Sequence, residues 1–241
     1  MNNLSRAADY VRRGKCVIAS TGAGMSVESG IPDFRSAGGI WEKYPPEEYA
    51  TIEAFLAAPG KVWRFWNELA AQFSSCRPHA GHRALAELEQ AGRLSAVITQ
   101  NVDNLHQEAG SRRVIEYHGN SRRVVCLDCR AERPFDAAAE RPAVPRCGCG
   151  GLLKPDVVMF GEMIPQRAML QAEAYARAAD VVLIVGTSAQ VYPAAELPLT
   201  AKRNGATLIE FNVSETDFTP FVDVFVQRPA GETLPELARQ L

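Results

Sequence analysis

Four cysteines stand at Cys126, Cys129, Cys147 and Cys149, with His118-Gly119 a few residues ahead of them. Two close cysteine pairs on one loop-rich stretch have the spacing of a tetrahedral zinc site whose four thiolates leave no open position. Such a site holds a fold and does no chemistry, so a reaction needs other groups, and His118 is the first candidate. Cys126-Leu127-Asp128-Cys129 is an ordinary C-x-x-C, whereas Cys147-Gly148-Cys149 is one residue tighter. Gly148, Gly150 and Gly151 offset that by letting the backbone bend closely around an ion. Unrelated thiols or a disulfide pair are the alternative, and they suit a reducing compartment less well than metal ligation does.

The chain has 241 residues, enough for one large domain and a smaller insert. With 46% hydrophobic and 22% charged residues and a net charge of −2, it lacks the basic footprint of a nucleic-acid binder. No apolar run approaches the roughly 20 residues that span a bilayer, so no membrane partner is expected. The stretch from Met1 to Gly14 reads as an amphipathic helix and not as a signal peptide. A cytoplasmic location with reduced thiols is therefore expected. Cys16 lies in an apolar strand and reads as a small hydrophobe. Cys76, in a polar loop, has no assigned role.

Short apolar, β-branched runs at Cys16–Ala19, Ala96–Thr99, Val181–Val185, Thr207–Phe211 and Val222–Val226 suit strands covered on both faces. Helical periodicity occupies Asn3–Arg13, Pro59–Phe73, His79–Ala91, Gln166–Ala178 and Ala194–Asn204. The alternation predicts an α/β fold, a Rossmann-like parallel sheet with helices on both faces. Two stretches interrupt it: 31–77, a loop and two helices, and 120–151, the metal-binding insertion. Together they form an expected smaller lobe, leaving 1–30, 78–119 and 152–241 as the nucleotide-binding domain.

After the first strand the chain reads Ser20-Thr21-Gly22-Ala23-Gly24-Met25-Ser26. Glycines there let a backbone approach a pyrophosphate. The third position of a G-x-G-x-x-G is Val27, however, so taken alone a tight turn is as good a reading as a nucleotide site. Three other strands end in polar groups: Gln100-Asn101-Val102-Asp103, Gly186-Thr187-Ser188 and Asn212. Ligands of open α/β sheets bind beyond the carboxyl ends of the strands, and four such ends describe a nucleotide cleft.

These motifs, together with Gly30-Ile31-Pro32-Asp33-Phe34-Arg35, Asn104-Leu105-His106, His118-Gly119 and Val157-Val158-Met159-Phe160-Gly161-Glu162, resemble the sirtuins in order and spacing from about Ala19 to Pro235. The stretch from Val191 to Leu199 is most similar to a bacterial deacetylase branch. The chain departs from the family pattern in its shorter second cysteine pair and in Val102, where isoleucine is usual.

The resemblance implies an NAD-dependent protein-lysine deacetylase with one structural zinc. NAD would be consumed: nicotinamide leaves, the acyl group passes to ADP-ribose and the lysine is freed. The implied partners are acetylated-lysine proteins or peptides. His118 is then the base, Asn101 holds the ribose or a water, and Asp103 binds the nicotinamide carboxamide. Phe34 shields the site, and Arg35 orders the loop and the phosphates. Gly22, Ala23, Gly24, Ser26, Asp33, Gln100, Val102, Gly186, Thr187, Ser188, Asn212 and Ala230 complete the implied cofactor contacts. Val157 to Gly161 takes the substrate peptide as an added strand, with Val158 and Phe160 walling the acyl-lysine tunnel.

Sirtuins that favour acidic acyl groups resemble one another in a Tyr-x-x-Arg on the small-lobe helix. Here that stretch reads Trp66-Asn67-Glu68-Leu69, so neutral acyl chains are expected. His79, His82 and His106 read as structural, and Trp41, Trp63 and Trp66 as packing residues. Three alternatives differ in chemistry: a nicotinamide dehydrogenase, which would keep its nicotinamide; a zinc-ribbon interaction module, which would not bind NAD; and a sirtuin acting mainly as an ADP-ribosyltransferase.

Overall fold

The computed structural model describes residues 2–135 and 144–241. Helix α1 (Asn3–Arg13) begins at Asn2, whose side chain accepts the Ser5 N–H at 2.8 Å, and buries the stripe Leu4, Ala7, Ala8 and Val11. Strand β1 (Val17–Thr21) leads into a 3-10 segment, Ala23–Ser29. Helical segments α2 (Ile40–Lys43), α3 (Pro46–Tyr49), α4 (Ile52–Ala57) and α5 (Pro59–Ser75) precede α6 (Ala80–Gln90) and β2 (Ala96–Thr99). Next come α7 (Leu105–Glu108), β3 (Val114–Glu116), β4 (Gly119–Cys126), β5 (Glu132–Pro134) and β6 (Leu153–Val157). The chain closes with α8 (Gln166–Ala178), β7 (Val181–Val185), α9 (Glu196–Arg203), β8 (Thr207–Asn212), β9 (Val224–Gln227) and α10 (Ala230–Ala238).

Six strands form one sheet in the order β3-β2-β1-β7-β8-β9, every neighbouring pair parallel. The expected α/β class holds. Strand β7 shows why its run of apolar residues is unbroken. Val181, Leu183 and Val185 face a cluster with α1, α6 and α10, while Val182 and Ile184 face a second cluster with α8 and α9. Each such buried side chain contributes about 1.5–3 kcal/mol relative to exposure. The first strand runs to Thr21 instead of Ala19, because Ser20 and Thr21 still pair with Ile184 and Val185. Ladder pairing, not hydropathy, sets where a strand stops. The short edge strand β3 and the helix α10, which carries Pro235 inside it, were not expected from periodicity.

A second, antiparallel sheet has the order β5-β4-β6. Its strands escape a hydropathy reading because they carry Arg122, Arg123 and Lys154. It shares a third apolar cluster with α2, α4 and α5, including Ile40, Phe55, Phe65, Val124 and Leu153. The Trp63 indole N–H donates to the Leu153 carbonyl at 3.0 Å and ties α5 to β6. The expected loop and two helices at 31–77 are a loop and four helical segments. Of the expected 120–151 insertion, residues 136–143 lie outside the described residues.

The cysteine cluster closes this lobe. The Cys126 and Cys149 sulfurs are 3.6 Å apart, those of Cys129 and Cys147 are 3.7 Å apart, and all four lie within 4.8 Å of one another. All are free thiols. Tetrahedral Zn–S bonds of about 2.3 Å put sulfurs roughly 3.8 Å apart, so the four residues fit a structural zinc despite the tight second pair. Gly150, at φ +92°, supplies the left-handed residue of the turn that makes this spacing workable. Purified protein should contain one zinc per chain. Stripping it with a chelator should lower the melting temperature by on the order of 10 °C, since each kcal/mol moves a chain of this size by about 2–4 °C. Absence of zinc by metal analysis, or an unshifted melt after its complete removal, contradicts the assignment.

Candidate functional site

Strand order reverses between β1 and β7, and ligand crevices of open α/β sheets form at such switch points. A cavity of about 790 Å³ opens there, at the carboxyl ends of the strands. The loops leaving β1 and β7 meet backbone to backbone: Gly22 N–H donates to the Val185 carbonyl at 3.1 Å, and Gly24 N–H to the Gly186 carbonyl at 2.8 Å. A Cβ on Gly186, at φ +57°, would stand 2.3 Å from the Met25 nitrogen. One on Gly24 would stand 2.8 Å from the Gly186 Cα. These glycines are therefore required by loop packing before any ligand is considered.

Thr187 joins three strand ends. Its Oγ1 accepts from Gln100 Nε2 at 3.1 Å, and its carbonyl accepts from Asn212 Nδ2 at 3.2 Å. Asn101 Nδ2 donates to the Gly22 carbonyl at 3.0 Å and to Ser26 Oγ at 3.1 Å. Ser26 Oγ in turn donates to Asp103 Oδ2 at 2.6 Å, and Asp103 Oδ1 accepts the Leu105 N–H at 2.9 Å. Burial raises the Asp103 pKa, while the Ser26 and Leu105 hydrogen bonds pull it down. At Asp33, burial is outweighed by hydrogen bonds from Ser36 and Arg35, which hold its carboxyl below the usual range and close the loop that carries Phe34. The Phe34 ring packs on Trp41 with centroids 4.9 Å apart.

His118 sits between β3 and β4, part-buried on the cavity wall. Its Nδ1 lies 3.2 Å from the Gln100 carbonyl, which places the proton on Nδ1 and leaves Nε2 bare. Burial lowers its pKa, with the Gln100 contact opposing, so the imidazole is neutral near pH 7. Its own carbonyl accepts the Val158 N–H at 2.9 Å. The histidine thus bonds through its ring toward the strand ends and through its main chain toward Val157 to Gly161.

Of the residues singled out in the sequence, Gly22, Ala23, Gly24, Asp33, Phe34, Arg35, Gln100, Asn101, Val102, His118, the run from Val157 to Gly161, Gly186, Thr187, Ser188, Asn212 and Ala230 line the cavity. Ser26 and Asp103 are buried behind its wall. The four cysteines are not among the lining residues. His79 caps α6, its Nδ1 accepting the Gly81 N–H at 3.0 Å. His82 and His106 are fully buried, and burial lowers the pKa of both, that of His106 to about 3. Trp41 and Trp66 line the cavity as well as packing the small lobe, whereas Leu69 lies in the apolar cluster and not on the cavity wall. Glu28, Glu162, Tyr192 and the loop from Val213 to Asp217 also line it and were not anticipated. They come from turns and loops whose approach depends on the tertiary fold.

A model of the Sir2 family matches residues 22–193. An NAD-dependent protein deacylase of Thermococcus kodakarensis is 48% identical over 246 residues, covering 99% of this chain and 95% of its own length. A solved Sir2 homologue–NAD complex is 44% identical with a TM-score of 0.93, covering 98% of this chain and 92% of that one. A Sir2–p53 peptide–NAD+ structure is 35% identical with a TM-score of 0.86, covering 98% and 96%. Relatives 43–48% identical to this chain are archaeal, so the expectation of a bacterial branch drawn from Val191 to Leu199 is not borne out. With the switch-point cavity, the part-buried histidine and the four-cysteine cluster in the family's order, this chain belongs to the Sir2 family.

Proposed function

We propose that this chain is an NAD-dependent protein-lysine deacetylase that releases nicotinamide, O-acetyl-ADP-ribose and the freed lysine. One observation carries the reading. His118 is hydrogen-bonded by its ring to Gln100 at the strand ends and by its main chain to Val158 in the extended segment, so a single base stands where a nucleotide and a peptide would meet. NAD, when bound, supplies a ribose carbon from which nicotinamide departs.

The chain's own groups do the rest. His118 Nε2, bare and held neutral by burial, takes a proton from a ribose hydroxyl. The Asn101 amide nitrogen is spent on Gly22 and Ser26, which aims its Oδ1 as an acceptor for the ribose or a water. Phe34, braced by Trp41, keeps bulk water from the reacting centre. Trp66 at the cavity wall and Leu69 behind it offer no cation to an acidic acyl chain.

Two outcomes are expected. The acid limb of kcat/KM should fall with a midpoint below the ordinary histidine value of 6.5, because burial favours the neutral base, and activity should persist as pH rises above it. His118→Ala should lose about 10²–10⁴-fold in turnover while keeping its melt and its NAD affinity. A midpoint above 6.5, or near-normal turnover in that variant, removes His118 from this role.

A further expectation concerns the acyl chain. Matched acetyl-, butyryl- and succinyl-lysine peptides, assayed by product mass, should show succinyl at least about tenfold slower than acetyl, since a carboxylate buried without a partner is strongly disfavoured. Trp66→Tyr with Leu69→Arg, checked for folding, should raise succinyl relative to acetyl. Equal turnover of succinyl and acetyl by the wild type sinks the neutral-chain preference.

A further inference from the structure

A partly buried ion pair, its Glu162 side chain 20% exposed, underlies the segment from Val157 to Gly161. Lys154 lies on β6 with its side chain 3% exposed, and its ammonium is 2.9 Å from Glu162 Oε2. All three ammonium protons find acceptors, because the Pro155 carbonyl lies at 3.0 Å and the Val157 carbonyl at 2.6 Å. The same Glu162 Oε2 accepts the Met159 N–H at 2.9 Å. Between them the chain turns through Gly161 at φ +87°, and Glu162 N–H closes the turn onto the Met159 carbonyl at 3.0 Å.

The flanking main-chain groups are also engaged. Val158 N–H donates to the His118 carbonyl at 2.9 Å, and Phe160 exchanges hydrogen bonds with Ala50 and Ile52 at 2.8 and 3.0 Å. Among the described residues the Val158 carbonyl has no protein donor. Such an ion pair is weak evidence for stability, since apolar replacements are often neutral or stabilising. Strand addition, in contrast, draws its affinity from main-chain hydrogen bonds and benefits from groups fixed in advance.

We propose that Lys154 and Glu162 are positioning residues for the acylated peptide: one seats the Val157 carbonyl, the other the Met159 N–H, and Val158 between them presents its carbonyl to the incoming strand. The proposal rests on the deacylase reading of the same site. The pair makes no hydrogen bond to the strand ends where the nucleotide would lie, so its effect is expected on the peptide and not on NAD affinity.

The test uses the full chain. Glu162→Gln keeps size and an acceptor but removes the charge, and Lys154→Met removes the ammonium from a chain of similar length. Binding of a fluorescent acetyl-lysine peptide is followed by anisotropy, NAD binding by calorimetry, and folding by thermal melting. Glu162→Gln should weaken peptide binding about tenfold, the worth of one charge-assisted hydrogen bond, and raise the peptide KM with little change in kcat. NAD affinity should be unchanged. If Lys154→Met does not fold, Glu162→Gln decides alone. Wild-type peptide affinity in Glu162→Gln overturns the proposal, as does a parallel loss of peptide and NAD affinity, which marks a merely structural pair. Failure of the wild-type protein itself to bind the peptide overturns the deacylase reading together with it.

Discussion

The loops that leave β1 and β7 touch backbone to backbone, and the cavity takes its shape from that contact. Neighbouring connections diverge at this point because strand order reverses, which leaves a crevice above the sheet. Gly22, Gly24 and Gly186 let the two loops close that crevice from below without side chains between them. A side chain at any of the three would wedge the loops apart and move Thr187, the residue on which Gln100 and Asn212 converge. The polar rim of the cavity therefore depends on three positions that carry no chemistry of their own.

The two lobes are joined where the histidine sits. His118 follows β3, an edge strand of the parallel sheet, and immediately precedes β4, the central strand of the antiparallel one. Its register is set from both sides, by Gln100 after β2 and by Val158 after β6. Gly119, at φ +83°, makes the sharp exit, and a Cβ there would strike the Asp156 carbonyl at 2.1 Å. The zinc-site cysteines act at a distance. They hold the end of β4 and the approach to β6, and so fix the sheet that leads into the segment from Val157 to Gly161.

Burial sets the electrostatic character of the centre. It lowers the His118 pKa, raises that of Asp103 beneath it and lowers those of His82 and His106 deeper in the fold. Each shift favours a neutral form. A centre of that kind suits a neutral base. At Lys154 burial likewise lowers the pKa, and the facing Glu162 carboxylate opposes it.

Much of this was legible in the residues. Unbroken apolar strands pointed to a sheet covered on both faces, polar residues after four strands to a cleft at one end of it, and paired cysteines to a metal site. Those are local statements, carried by side-chain type and short spacing. The small antiparallel sheet was not legible, because β4 and β6 carry Arg122, Arg123 and Lys154, whose charges are compensated only by partners distant in sequence. The reason for the glycines was not legible either: a Gly-x-Gly reads the same for a phosphate as for another loop, and only the position of Gly186 distinguishes them. Likewise the bond from Ser26 that Asp103 accepts joins segments 77 residues apart and could not be read from the motif. Sequence determined which groups were available. The tertiary structure decided which of them face the cavity, because side-chain direction and loop approach are fixed by packing between segments far apart in the chain.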